Sequence, residues 1–158
     1  SDGAVQHYDK KHLFTFGGEH KRFTAGTERV VVNFRGVRIL LEVCYDLRFP
    51  VWSRNLGDYD MILYVASWPT PRVDAWSALL RARAIENQCY VAGVNRMGTD
   101  PACEYSGGSA IIDPYGKTIA ECPWSRESAV SADIDMEALQ AFRKKFPVLD
   151  DADPFTLI

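Results

Sequence analysis

Two continuous apolar runs frame a helix-patterned segment in the middle of the chain. This arrangement limits the possible folds more than any other feature of the sequence. MILYVAS (61–67) and CYVAGVN (89–95) lack polar alternation, the pattern of strands buried on both faces. Between them, VDAWSALLRARAIEN (73–87) carries apolar residues at 76, 79, 80 and 84 with charges elsewhere, which predicts a helix. Upstream, VVVNF and VRILLEV flank Arg35-Gly36, the pattern of a hairpin, and SAIIDPYGKTIAE repeats that pattern around Pro-Tyr-Gly. Strands alternating with helices, then antiparallel hairpins, argue for a mixed-sheet α/β or α+β sandwich.

The remaining segments are read more simply. Residues 3–8 are expected to form a short strand, and KKHLFTFGGEHKRFTAG a long loop. FPVWSRNLG suggests a short helix from Pro50, since proline suits a first helical turn. A polar loop containing Gly98, Pro101, Gly107 and Gly108 follows the second buried strand. SAVSADID (128–135) alternates like a half-buried strand, and MEALQAFRKKF is a helix with Asp135 as N-cap. The tail from 147 to 158 is acidic and without period.

With 158 residues, 47% hydrophobic and 25% charged, the chain suffices for one core but not two. A net charge of -3 offers no electrostatic case for nucleic acid or an anionic membrane. The longest apolar runs are far too short to span a bilayer. Four cysteines, at 44, 89, 103 and 122, match no zinc-ligand spacing and are expected as reduced thiols in a cytoplasmic protein.

The chemistry concentrates in LLEVCYDLRFPVWSRN (40–55), where a buried strand ends abruptly at Cys44. A thiol between a strand end and a helix start is set for nucleophilic attack if positive charge or a base lies nearby. The backbone N–H of Tyr45, just beyond such a turn, would be free to bind an oxyanion. A buried structural thiol is the competing reading, and for Cys89, Cys103 and Cys122 it is the better one. Glu42 shares strand parity with Cys44, which leaves two readings open: that the two point the same way, or that Glu42 faces a neighbouring element.

CYDLRFPVWSRN resembles the nucleophile segment of the nitrilase (carbon–nitrogen hydrolase) superfamily. YDKKHLF is similar to that family's lysine segment, and FGGEHKRFTAG to the loop carrying its second glutamate. YVASWP, LLRARAIENQCYVAGVNR and IIDPYGKTIAE follow in family order, so the likeness covers nearly the whole chain. DLRFPVWSRN, YVASWP and AIENQ look most like the omega-amidase branch, which removes ammonia from short α-keto acid amides.

This resemblance implies an αββα sandwich, with residues 1–158 as the C-terminal portion of a single domain. It makes Cys44 the nucleophile, Lys10 rather than Lys11 the catalytic lysine, and Glu19 the second glutamate. It implies no metal or organic cofactor, a small-molecule amide as substrate, and a homodimer paired through helices near the nucleophile, with the tail as an arm across the partner. Tyr45 would supply an oxyanion donor and Trp68 a pocket wall, while Arg48, Arg83 and Glu86 are expected to form a buried ion-pair cluster under the cysteine turn. The family's general-base glutamate lies far upstream of its lysine, and no residue here matches it. Two rivals remain: a thiol hydrolase using His7, His12 or His20 as base, and a non-catalytic module of the same fold.

Overall fold

In the computed structural model, which describes residues 3 and 5–156, the buried runs become adjacent parallel strands at the centre of one mixed sheet. Strands β1 (Val31–Phe34) and β2 (Val37–Val43) form the first hairpin. β2, β3 (Met61–Ala66) and β4 (Tyr90–Asn95) run parallel, β7 (Ala110–Ile112) pairs antiparallel with β4, and β8 (Thr118–Glu121) pairs antiparallel with β7. The sheet order is β1-β2-β3-β4-β7-β8. A separate two-stranded ribbon joins β5 (Met97–Thr99) to β6 (Glu104–Ser106).

Parallel strands need a crossover, and α2 (Val73–Glu86) supplies it between β3 and β4. Register aligns Leu40, Ile62 and Val91 across β2, β3 and β4, and all three are buried on the face that α2 covers. The same rows place Glu42, Tyr64 and Gly93 side by side. A side chain at Gly93 would collide with Trp76 and Leu80, so the glycine lets α2 lie directly on the sheet. The opposite face is less covered: Val65 is 47% exposed and Val94 49%.

The short helix α1 (Pro50–Ser53) starts at proline as expected, and α3 (Met136–Lys145) is capped by the Asp135 side chain, which accepts from the Ala138 N–H at 2.8 Å. Arg143 of α3 reaches back to Asp60 at 2.9 Å and donates to the Tyr59 and Gln88 carbonyls, fastening the helix to the base of the sheet. No helix among the described residues is long and apolar enough to cross a membrane.

Three expectations fail. Among the described residues of 3–8 there is no strand. SAVSADID is also not a strand: its backbone pairs with no sheet edge, most of it is exposed, and it is tethered instead through the Asp135 backbone to the Tyr90 hydroxyl. Alternation marks a half-buried strand only where a neighbouring edge is there to receive it. Conversely, the glycine-rich loop after β4 contains the β5–β6 ribbon, whose three-residue strands are too short to register as periodicity.

Candidate active site

Cys44 stands where β2 gives way to a 3₁₀ helix, Cys44–Arg48, and its φ of 50° lies in the left-handed region. A residue with a side chain adopts that conformation at a cost, and only where its surroundings hold it there. Asp46 does the holding. Its buried carboxylate accepts the Val43 N–H at 3.1 Å, the Tyr8 hydroxyl at 2.9 Å and the His12 N–H at 2.8 Å, and it faces the His12 ring nitrogen at 2.9 Å. One side chain therefore clamps the cysteine turn and the segment 8–12 together, and that segment carries Lys10. Sequence reasoning missed this role, although an acidic residue in the first turn after Cys44 was visible in the motif.

Lys10 and Glu19 form a bidentate pair, with Nζ 3.0 Å from Oε1 and 2.7 Å from Oε2. The Phe14 N–H donates to the same Oε2 at 2.8 Å. Partial burial alone would raise the Glu19 carboxyl, but its bonds from Lys10 and Phe14 outweigh that and hold it below the usual carboxylate range. Lys11 points elsewhere, its ammonium 5.1 Å from the centre of the Trp52 ring. Lys10, Glu19 and Cys44 line one cavity of about 790 Å³ together with Val65, Ser67 and Tyr105. The Cys44 sulfur lies 3.9 Å from the Ser67 carbonyl oxygen. Burial pushes the Cys44 thiol up, and the positive charge of Lys10 opposes that shift.

Tyr45 is the second residue of the 3₁₀ helix, so its N–H has no partner within the helix. Its ring packs edge-on to Phe14 and Phe49, at centroid distances of 5.0 and 5.1 Å. Trp68 is both core and wall: it is buried against Trp76, and it lines a side cavity of about 40 Å³ with Cys44, Tyr45, Arg48 and Arg72.

The expected cluster of Arg48, Arg83 and Glu86 forms only in part. Arg83 is buried, pairs with Glu86 at 2.8 Å and donates to the Leu47 carbonyl, propping the cysteine turn from behind. Arg48 is not in that cluster. It ends the 3₁₀ helix on the exposed side, without a carboxylate partner among the described residues, and lies over Trp68 at 4.8 Å. Arg54 takes the vacant position, donating to the Glu86 carbonyl at 2.8 Å.

Glu42 does not point with Cys44, because the positive φ at Cys44 breaks the alternation of the strand. It is buried behind the sheet, accepting from Ser53 Oγ at 3.0 Å, with Ser53 in turn 3.1 Å from the Tyr64 hydroxyl. Among the described residues its Oε1 has no partner, and burial raises the carboxyl to about 8. Since the group ionises near 4.5 in an open chain, its contribution to stability is complete below that pH and is lost as pH rises to about 8. Glu42→Gln is therefore expected to melt several degrees above the parent at about pH 8 and close to it at about pH 4.5. Parallel pH dependence of the two melting temperatures would mean that Glu42 is ionised in the fold.

None of the three histidines lines the cavity: His12 is held by Asp46 and stacked on Phe49, and His7 and His20 are exposed. The arrangement thus lacks a cysteine–histidine pair. Among the described residues, no group of three or more His, Cys, Asp or Glu side chains is placed to hold a metal ion.

Comparison with known proteins agrees with this geometry. Residues 1–144 match the carbon-nitrogen hydrolase family. The chain is 55% identical over 156 residues to the omega-amidase YafV of Escherichia coli, covering 98% of this chain and 61% of that protein. It is 42% identical over 149 residues to the 2-oxoglutaramate amidase of Bacillus subtilis, covering 93% and 57%. A solved CN-hydrolase superfamily protein from Xanthomonas campestris, with an arsenic adduct in its active site, superposes with a TM-score of 0.95 at 49% identity, covering 99% of this chain and 62% of that one. The chain therefore spans about three-fifths of the length of these relatives.

Proposed function

The chain belongs to the carbon–nitrogen hydrolase family, and on that premise we propose that it acts on the terminal amide of a short acid, releasing ammonia through a thioester on Cys44. The observation that carries this reading is the meeting of Lys10, Glu19 and Cys44 in one cavity, although Lys10 and Glu19 lie 34 and 25 residues before Cys44. Similarity to an omega-amidase and a 2-oxoglutaramate amidase supports an α-keto acid amide as the substrate class.

In this mechanism the Cys44 sulfur attacks the amide carbon. Charge moves onto the carbonyl oxygen, where the Lys10 ammonium and the Tyr45 N–H receive it; such donors act by being in place before the charge develops. Glu19 keeps Lys10 charged and oriented, and the proton that the Cys44 thiol gives up on attack is relayed through this pair to the departing nitrogen, which leaves as ammonia. Carbon–nitrogen cleavage leaves the acyl group on sulfur, and hydrolysis of that thioester to the acid requires a further base to activate water. The same reading carries a homodimer and a cytoplasmic location.

Ammonia release from 2-oxoglutaramate, with Cys44→Ala as control, tests the assignment. Release that depends on Cys44 and far exceeds that from a neutral aliphatic nitrile is expected. Preference for the nitrile, or release by the Cys44→Ala chain, would overturn it.

A further inference from the structure

A substrate that carries a carboxylate at the end distal to its amide needs a cationic partner at some distance from the sulfur. Three arginines are near enough to Cys44 in sequence or fold to be weighed. Arg83 is excluded, because it is buried and already committed to Glu86 and the Leu47 carbonyl. Arg48 and Arg72 differ from it. Both line the small cavity that opens beside Cys44, and among the described residues neither has a carboxylate within ion-pair reach.

Both guanidinium groups rest on aromatic faces. Arg48 lies over Trp68 at 4.8 Å and Arg72 over Phe14 at 5.6 Å. A guanidinium stacked on a ring keeps its N–H donors in its own plane and free at the edge, the geometry that meets a carboxylate in a two-pronged bond. The two shelves are themselves fixed. Trp68 donates from its indole nitrogen to the Arg72 carbonyl at 2.7 Å and from its backbone to Asn95 Oδ1 at 2.7 Å. Phe14 is tied to Glu19, and so to Lys10. Trp68 thus carries one arginine on its face and holds the backbone of the other, while Phe14 links the second arginine to the catalytic pair.

From this arrangement we infer that Arg48 and Arg72 form the site for the distal carboxylate of the substrate, and so determine the preference for acidic over neutral amides. The inference rests on the amidase reading of the same cavity. It gives Trp68 and Phe14 the part of positioning residues, and it assigns Arg48 to substrate binding instead of to the buried ion pair.

The test compares alkylation of Cys44 by iodoacetate and iodoacetamide, which share a leaving group and differ by a carboxylate against an amide. The rate ratio is read from the Cys44 peptide by mass spectrometry and divided by the ratio for free N-acetylcysteine. The normalised ratio is expected to favour iodoacetate in the parent, and to fall about tenfold in Arg48→Gln and in Arg72→Gln with the iodoacetamide rate retained. Glutarate is expected to protect Cys44 from iodoacetamide in the parent and not in either variant. Cys89 is fully buried, so its labelling would flag a variant that has opened. In that event Arg48→Lys and Arg72→Lys decide: a retained preference for iodoacetate supports the site, and its loss overturns it. An unchanged ratio in both Gln variants also overturns it. A Cys44 inert to both reagents would overturn the amidase reading itself, which keeps the two failures distinct.

Discussion

Lys10→Ala is expected to slow formation of the Cys44 thioester about 100-fold, the usual effect of removing one donor from a preorganised oxyanion site. Lys11→Ala is expected to change it no more than a few-fold. The two residues are neighbours in sequence, and the structure separates them: Lys10 lines the cavity with Cys44 and is gripped by both oxygens of Glu19, while the Lys11 ammonium rests over Trp52. Loss of Lys10 acts twice. It removes the cation that opposes the burial-driven rise of the Cys44 thiol, and it leaves Glu19, which raises that thiol, without its counter-charge. The measurement is the rate of the first equivalent of ammonia, together with the mass gained on the Cys44 peptide. A large effect of Lys11→Ala with a small one of Lys10→Ala would reverse the assignment.

The second large effect concerns turnover. The 158-residue chain is expected to release about one equivalent of ammonia per Cys44 and then stall as the acyl form. Cleavage of a thioester needs a base to activate water. Among the described residues the cavity holds two carboxylates, Asp9 and Glu19, and Glu19 already gives both oxygens to Lys10 and one of them to the Phe14 N–H as well. The sheet face beside the cavity also leaves Val65 and Val94 half-exposed, where a closed site would exclude water from the reacting atoms. Adding the portion of the Escherichia coli relative that this chain does not match is expected to convert the single release into steady turnover. An ammonia time course against chain concentration, with Cys44→Ala as control, reads the outcome. Sustained Cys44-dependent turnover by the 158 residues would mean that Asp9 or Glu19 serves as the base after all.

The central architecture was legible because it is written in short-range signals. Unbroken apolar runs at 61–67 and 89–95, a helical period between them and a tight turn at Arg35-Gly36 led directly to β3, β4, α2 and the first hairpin. That Cys44, Lys10 and Glu19 share one cavity was expected for a different reason: they sit in compact motifs whose order along the chain resembles a known family. Neither kind of signal carries information on which way a side chain turns once backbone alternation is broken. Strand parity left open whether Glu42 points with Cys44 or toward a neighbouring element, and a single positive φ at Cys44 sends the two apart. Arg48 was expected in a buried ion pair, but the end of a 3₁₀ helix leaves it exposed on an aromatic shelf. Asp46 drew no attention as one acidic residue among many, yet four hydrogen-bonding groups from two segments converge on it. What the sequence by itself determined is the sheet, its crossover helix and the family, since periodicity and motif order are local properties of the chain. Tertiary structure alone decided which charges are paired and which remain open to a ligand, because pairing depends on contacts between segments far apart in sequence, and burial makes an unpaired charge costly only where the fold excludes water.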